Sequence, residues 1–236
     1  MARQFTVASY NIHGCVGKDR RRDAQRIAEV VTELDADVMG LQEVNSRIGL
    51  DDHDMQMDFL AKSTGLQAIG GHVISHDEGH YGNLLLTRHP VIDVRRIDIS
   101  VSGYEPRGAL DVDLKIHDQP VRVIVTHFGL FGRERREQAR RLLDTLAIHE
   151  NPDRFVVVLG DFNEWQPFSR SLKSINARLG MTPAPATFPA IFPLLALDRI
   201  WVWPRSALLD VNTHATRITR ICSDHLPLRA VVTCDY

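Results

Sequence analysis

The sequence predicts an α/β fold of two sheets packed face to face, with helices on the outside and strand ends gathered at one shared edge. Three features lead to it: short apolar runs that break off into polar residues, amphipathic stretches with helical spacing between them, and a repetition of this grammar in both halves of the chain.

In the first half, residues 5–10 read as a strand running into Asn11. Within residues 22–34 the apolar positions Ile27, Val30, Val31 and Leu34 mark one face of a helix. Residues 37–41 then form a buried strand that ends in Gln42-Glu43. The second half repeats the pattern. Residues 121–125 end in Thr126-His127, and residues 138–148 place Ala139, Leu142, Leu143, Leu146 and Ala147 on one helix face. Residues 155–159, apolar on both faces, end in Gly160-Asp161-Phe162-Asn163. Further strands are expected at 83–87, 109–116, 199–202 and 228–232, and the proline-rich stretch 182–193 is expected to be loop. No linker or low-complexity tract divides the chain, so residues 1–236 read as a single domain.

At 236 residues, 44% hydrophobic and 25% charged, the chain can bury a sizeable core, which excludes a disordered class. A formal charge of −2 lacks the basic balance of a dedicated nucleic-acid binder. Cys15, Cys222 and Cys234 are widely spaced and odd in number, as expected of buried, reduced thiols. The chain enters a strand-like run without a signal-peptide pattern, and its apolar runs fall far short of the roughly 20 residues that span a bilayer. A soluble, cytoplasmic protein with no transmembrane segment is expected, and no feature calls for an obligate protein partner.

Polar residues collect at the strand ends: Asn11, Glu43, His127, Asp161, Asn163, Asp198, Asp224 and His225. One such residue is ordinarily a turn former or a helix cap. Eight of closely related chemistry are harder to assign to turns. The segments that carry them, Ser9-Tyr10-Asn11-Ile12-His13-Gly14, Leu41-Gln42-Glu43-Val44, Gly160-Asp161-Phe162-Asn163, Leu197-Asp198-Arg199-Ile200 and Ser223-Asp224-His225-Leu226-Pro227, resemble in order the endonuclease/exonuclease/phosphatase superfamily of DNase I-like phosphoesterases. The resemblance spans almost the whole chain. It implies a four-layer α/β/β/α sandwich, with two mixed sheets flanked by helices, and hydrolysis of phosphate esters with Mg²⁺ or Mn²⁺.

The chemistry of the residues fits those roles. Carboxylate and amide oxygens are hard donors that suit Mg²⁺ or Mn²⁺, whereas zinc would recruit more Cys or His. Glu43 is the leading metal ligand, with Asn11 and Asp224 completing its surroundings. No Ser or Cys sits in an activated triad, so water is the expected nucleophile. By resemblance Asp161 and Asn163 position it, His225 takes its proton or stabilises the charged transition state, and Asp198 orients the His225 ring. His127 resembles a second active-site histidine that binds phosphate or protonates the leaving group. Arg107, whose planar fork matches phosphate, and Asn83 are candidates for gripping phosphate oxygens.

Other features are read without a catalytic role. His72, His76 and His80 lie among glycines, where a loop is expected, either free of the site or overhanging its pocket, and the basic runs 18–22 and 133–141 at helix starts are expected to be solvated helix faces, the alternative being a pocket rim that attracts a polyanion. Where abasic-site endonucleases of the superfamily carry Tyr-Val-Pro-Asn, this chain has Thr126-His127-Phe128-Gly129, which looks more like the secreted nuclease and sphingomyelinase branches. The expected substrate is a phosphodiester, either nucleic acid or a lipid or small-molecule diester. The alternative is a catalytically silent module that holds a phosphorylated ligand; its signature would be loss of Glu43, Asp161 or His225, and all three are present.

Overall fold

The computed structural model describes residues 3–47, 55–76, 79–146 and 155–235. In chain order the elements are β1 (Gln4–Asn11), α1 (Ala24–Leu34), β2 (Val38–Arg47), α2 (Gln56–Thr64), β3 (Gln67–His76), β4 (Gly79–Thr87), β5 (Val91–Asp98), β6 (Gly108–Ile116) and β7 (Gln119–His127). They continue with α3 (Gly132–Leu146), β8 (Phe155–Asp161), α4 (Arg170–Leu179), β9 (Asp198–Trp203), β10 (Leu208–Thr213), α5 (Thr219–Cys222) and β11 (Leu228–Thr233). Six strands form one mixed sheet in the order β10-β11-β1-β2-β4-β3, and five form the other in the order β5-β6-β7-β8-β9.

Strand alternation explains the layers. On β1, Phe5 and Val7 face the other sheet while Ala8 and Tyr10 face α1 and α2. On β8, Phe155, Val157 and Leu159 enter the same intersheet core, and Val156 and Val158 pack under α3 and α4. A strand buried on both faces needs apolar residues at every position, hence the continuous run at 155–159. The sheets approach closely at Gly40, where a Cβ would lie 2.2 Å from Leu159 Cδ1 and 2.8 Å from Val125 Cγ1.

Each half contains a parallel strand pair bridged by a helix, β1-α1-β2 and β7-α3-β8. Asp23 caps α1 by accepting from the backbone N–H groups of Gln25 and Arg26. The three cysteines are buried and free.

Several sequence-based expectations change. Of residues 70–82, expected as a glycine-rich loop, 70–76 and 79–82 belong to the antiparallel pair β3–β4, in which His72 is paired with Gly82 and His76 with Gly79, and 77–78 lie outside the described residues; glycine is compatible with a strand whose partner backbone supplies the hydrogen bonds. Helix α3 starts at Gly132, six residues before the expected face, and positions 147–148 lie outside the described residues. Its basic run is not simply solvated: Arg135 is buried on Glu164, whereas Arg140 and Arg141 pair with Glu137 at the surface. Residues 18–22 precede α1 as a turn. Finally, β2 does not stop at Glu43 but continues to Arg47 through a bulge.

Candidate active site

The strands that build the intersheet core also deliver the polar residues. His127 extends the row Val121, Val123, Val125, and Asp161 extends the row Phe155, Val157, Leu159, so that both continue the core-facing side. Parallel pairing sets His127 directly beside Asp161, and antiparallel pairing of β8 with β9 sets Asp161 beside Asp198. Gly160 permits this registry, since a Cβ there would fall 1.9 Å from the Thr126 carbonyl oxygen.

Glu43 arrives by a different device. Leu41 and Val44 both pack on the helix side although they are three residues apart, so the bulge between them turns both Gln42 and Glu43 to the other side. Glu43 adopts φ +58° there, a left-handed conformation that a non-glycine residue holds only when its surroundings impose it. Asn163 is held likewise, at φ +49°.

The Asn11 side-chain amide joins the two halves, donating to Glu43 Oε1 at 2.9 Å and to Asp161 Oδ2 at 3.0 Å. Its own Oδ1 accepts the His13 backbone N–H. Asp161 Oδ1 accepts the Asn163 backbone N–H at 2.8 Å, and Asp161 Oδ2 lies 3.7 Å from Nε2 of both His127 and His225. The Asn163 amide lies 3.1 Å from His127 Nε2 and donates to the Phe128 carbonyl. His225 Nδ1 stands 2.8 Å from Asp198 Oδ2, which also accepts the Thr187 hydroxyl. Asp198 therefore faces the imidazole and not its sequence neighbour Arg199.

These environments push the two histidines apart. Burial depresses His127 to about 4, against the pull of Asp161, so its ring is neutral at neutral pH. Burial also opposes charge on His225, but Asp198 and Asp161 outweigh it and raise the imidazole to about 10. One ring is a neutral hydrogen-bonding group and the other an imidazolium.

Asp224 is half-buried at the margin, its Oδ1 3.9 Å from His13 Nδ1, while Ser223 ties this segment to the Asn11 carbonyl. Arg107 is buried; its Nη2 reaches Glu105, and its Nε has no partner among the described residues. Its charge is felt by His127, which puts it beside the same cluster. Asn83 donates to the Gly108 carbonyl, and the atom it leaves free is its carbonyl oxygen, an acceptor. An acceptor suits a hydroxyl or water better than a phosphate oxygen.

Sequence reading missed Thr187, Ser223 and Tyr81. Burial, reinforced by the Glu43 charge and opposed by Arg107, holds the Tyr81 phenol well above the usual range. Only the neighbourhood of Ser223 in the Ser-Asp-His segment offered a signal; Thr187 sits in an apparently featureless loop.

The donor set suits a hard divalent cation. Glu43, Asp161, Asp198 and Asp224 converge with His225 and Arg107 as the nearby cations, and Asp198 Oδ1 is buried with no hydrogen-bond partner among the described residues. Ligand atoms of Asp161, Asp198 and His225 lie within 4.8 Å of one another. The Asp198–His225 hydrogen bond already commits that pair, and Asn11 turns its amide nitrogen, not its oxygen, toward Glu43 and Asp161, so it presents no ligand atom to them.

The Endonuclease/Exonuclease/phosphatase family model matches residues 8–225, a span that includes all these residues. The chain belongs to this family. Over 248 aligned residues it is 33% identical to "Uncharacterized protein YbhP" of Escherichia coli K12, covering 97% of this chain and 96% of that one. Among solved structures it resembles an endonuclease/exonuclease/phosphatase family protein from Bacteroides thetaiotaomicron, with TM-score 0.80, 19% identity and full coverage of both chains. It also resembles the mannosyl-6-phosphatase of the same organism, with TM-score 0.75 and 20% identity over 97% of this chain and 99% of that one. The fold is thus the DNase I-like sandwich of two mixed sheets flanked by helices, and the family's members are phosphoesterases.

Proposed function

We propose that the chain is a divalent-metal-dependent phosphodiesterase that activates water beside Asp161. The observation that carries this reading is the position of Asp161 Oδ2, which is held by Asn11 and lies 3.7 Å from two imidazoles of opposite protonation state. Divergent titration within one cluster is the pattern expected of acid–base chemistry.

Glu43 and Asp224 would hold Mg²⁺ or Mn²⁺, with Asn11 orienting the Glu43 carboxylate beside it, and the ion when bound would neutralise phosphate charge and stabilise the leaving oxygen. Asp161, its other oxygen fixed by the Asn163 backbone, orients water and accepts its proton. His225, protonated and aligned by Asp198, donates from Nε2 to a phosphoryl oxygen as negative charge builds on it. His127, uncharged above about pH 4, holds Asn163 in place and does not itself bring a positive charge. The Arg107 guanidinium receives a second phosphoryl oxygen, and Asn83 fixes the strand beside it.

The test is turnover of bis-p-nitrophenyl phosphate, p-nitrophenyl phosphate, plasmid DNA and a phospholipid head-group diester with and without Mg²⁺ or Mn²⁺. Metal-dependent cleavage of at least one diester is expected. Activity on the monoester alone would overturn the diesterase reading, and phosphate-ligand binding by calorimetry without any hydrolysis would favour a silent binding module.

A further inference from the structure

Three loops leave the same end of the five-stranded sheet as the site residues: the one after His127, the one after Asn163, and the one that leads into Asp198. Each exposes large apolar side chains at its tip. Leu130, Phe131, Trp165, Phe168, Ile191 and Phe192 are between 57% and 80% exposed. Specific contacts at their bases hold these tips in place. Arg135 clamps the Leu130 carbonyl and Glu164 together, Tyr104 packs on Phe131 with ring centroids 5.4 Å apart, and Arg220 donates to the carbonyls of Ala190 and Ile191. Scattered apolar side chains are normal on a protein surface, but a group of this size around one site is not.

Charge is distributed just as unevenly. The chain has more acidic than basic residues, 30 against 28. Yet in residues 128–133, 164–170 and 181–197, the three loops themselves, the only acid, Glu164, is buried, and the exposed charges are Arg133 and Arg170. Glu105, on the adjoining loop, is paired with Arg107. Apolar tips fringed by arginine complement a bilayer that carries anionic headgroups. Four of the six tips are aromatic and could stack on bases as well as enter a bilayer, but the aliphatic pair Leu130 and Ile191 adds insertion area that base stacking does not use, which favours lipid.

We infer that this rim seats the molecule on an anionic membrane surface, with the site facing the headgroups, so that the ester it cleaves is presented at the lipid–water boundary. The inference rests on the hydrolase reading for its site, while its test reads partition and not hydrolysis. Co-flotation is measured with vesicles of phosphatidylcholine alone and of phosphatidylcholine with phosphatidylglycerol, for the unmodified protein, Phe168→Ser/Phe192→Ser, and Arg133→Gln/Arg170→Gln. The unmodified protein should partition onto the anionic vesicles with a blue shift of emission from Trp165, the exposed tryptophan. Each variant should lose at least tenfold in partition, and its turnover of soluble bis-p-nitrophenyl phosphate should equal that of the unmodified protein. Circular dichroism establishes that the variants fold.

No partition by the unmodified protein, or partition undiminished in the Phe168/Phe192 variant, would overturn the inference. So would capture of a fluorescent oligothymidylate, or concentration-dependent self-association, that the same substitutions abolish while vesicles are not bound. Absence of soluble turnover in every form would instead strike the diesterase reading and leave the partition result standing.

Discussion

His225 Nδ1 is bound to Asp198 Oδ2 at 2.8 Å, and the Thr187 hydroxyl approaches the same carboxylate oxygen from the preceding loop. The pair fixes both the orientation and the charge of the imidazole. Burial alone would discharge the ring; the carboxylates of Asp198 and Asp161 prevent it.

Asp198→Asn should therefore lower kcat by about 10²–10⁴-fold, the range typical of positioned acid–base groups. Because the imidazolium is the working form, activity should fall as pH rises through the raised pKa near 10. Removing the Asp198 charge moves that alkaline limb to lower pH, a shift that a purely structural lesion would not produce. Thr187→Val should show a smaller loss in the same direction. Both are read from pH–rate profiles on a chromogenic diester.

A second expectation concerns the close approach of the sheets. Gly40→Ala places a Cβ against Leu159 and Val125, and overpacking of this kind costs about 1–3 kcal/mol. Urea unfolding should show a lower midpoint with an unchanged slope.

A third concerns acid. Asp111 is fully buried, and although burial raises its pKa, hydrogen bonds from Arg122 and Arg95 hold it below the ordinary carboxylate value. A carboxylate depressed in the folded state contributes stability that is present above its unfolded pKa and lost as pH falls through its folded pKa. The protein should thus lose stability below about pH 4. Asp111→Asn should cost about 3–5 kcal/mol at neutral pH, because it leaves Arg122 buried without its charge partner, and should flatten the acid side of the melting profile.

Period and polarity made much of the architecture readable. Core strands such as β7 and β8 are continuous apolar runs because both faces are buried, and α1 shows its buried stripe because its other face meets solvent. The strands β3, β5 and β10 lacked such a signal: β5 is half-buried or exposed at every position without a regular alternation, and β3 contains paired glycines. At the site, the residues ending apolar strands stood out, since a polar group after four or five buried positions must have a partner. What did not stand out was how they join. The bulge that turns Glu43 inward depends on pairing with β4, and Thr187 meets Asp198 only because a long loop folds back over β9. Neither relationship leaves a local trace in the chain.

The histidines divide in the same way. Both could be placed near the site from sequence, but their opposite charge states depend on tertiary surroundings. His127 has buried neighbours and the nearby Arg107 charge, whereas His225 has two carboxylates close at hand.

The central reading, a metal-assisted hydrolase organised around Asp161, is tested most directly by metal-depleted protein assayed on bis-p-nitrophenyl phosphate before and after addition of Mg²⁺ or Mn²⁺, alongside folded Asp161→Asn. Turnover should be absent without metal, return on its addition, and stay at least 10²-fold lower in the variant. Turnover that persists after metal removal, or an Asp161→Asn protein as active as the unmodified one, would contradict it.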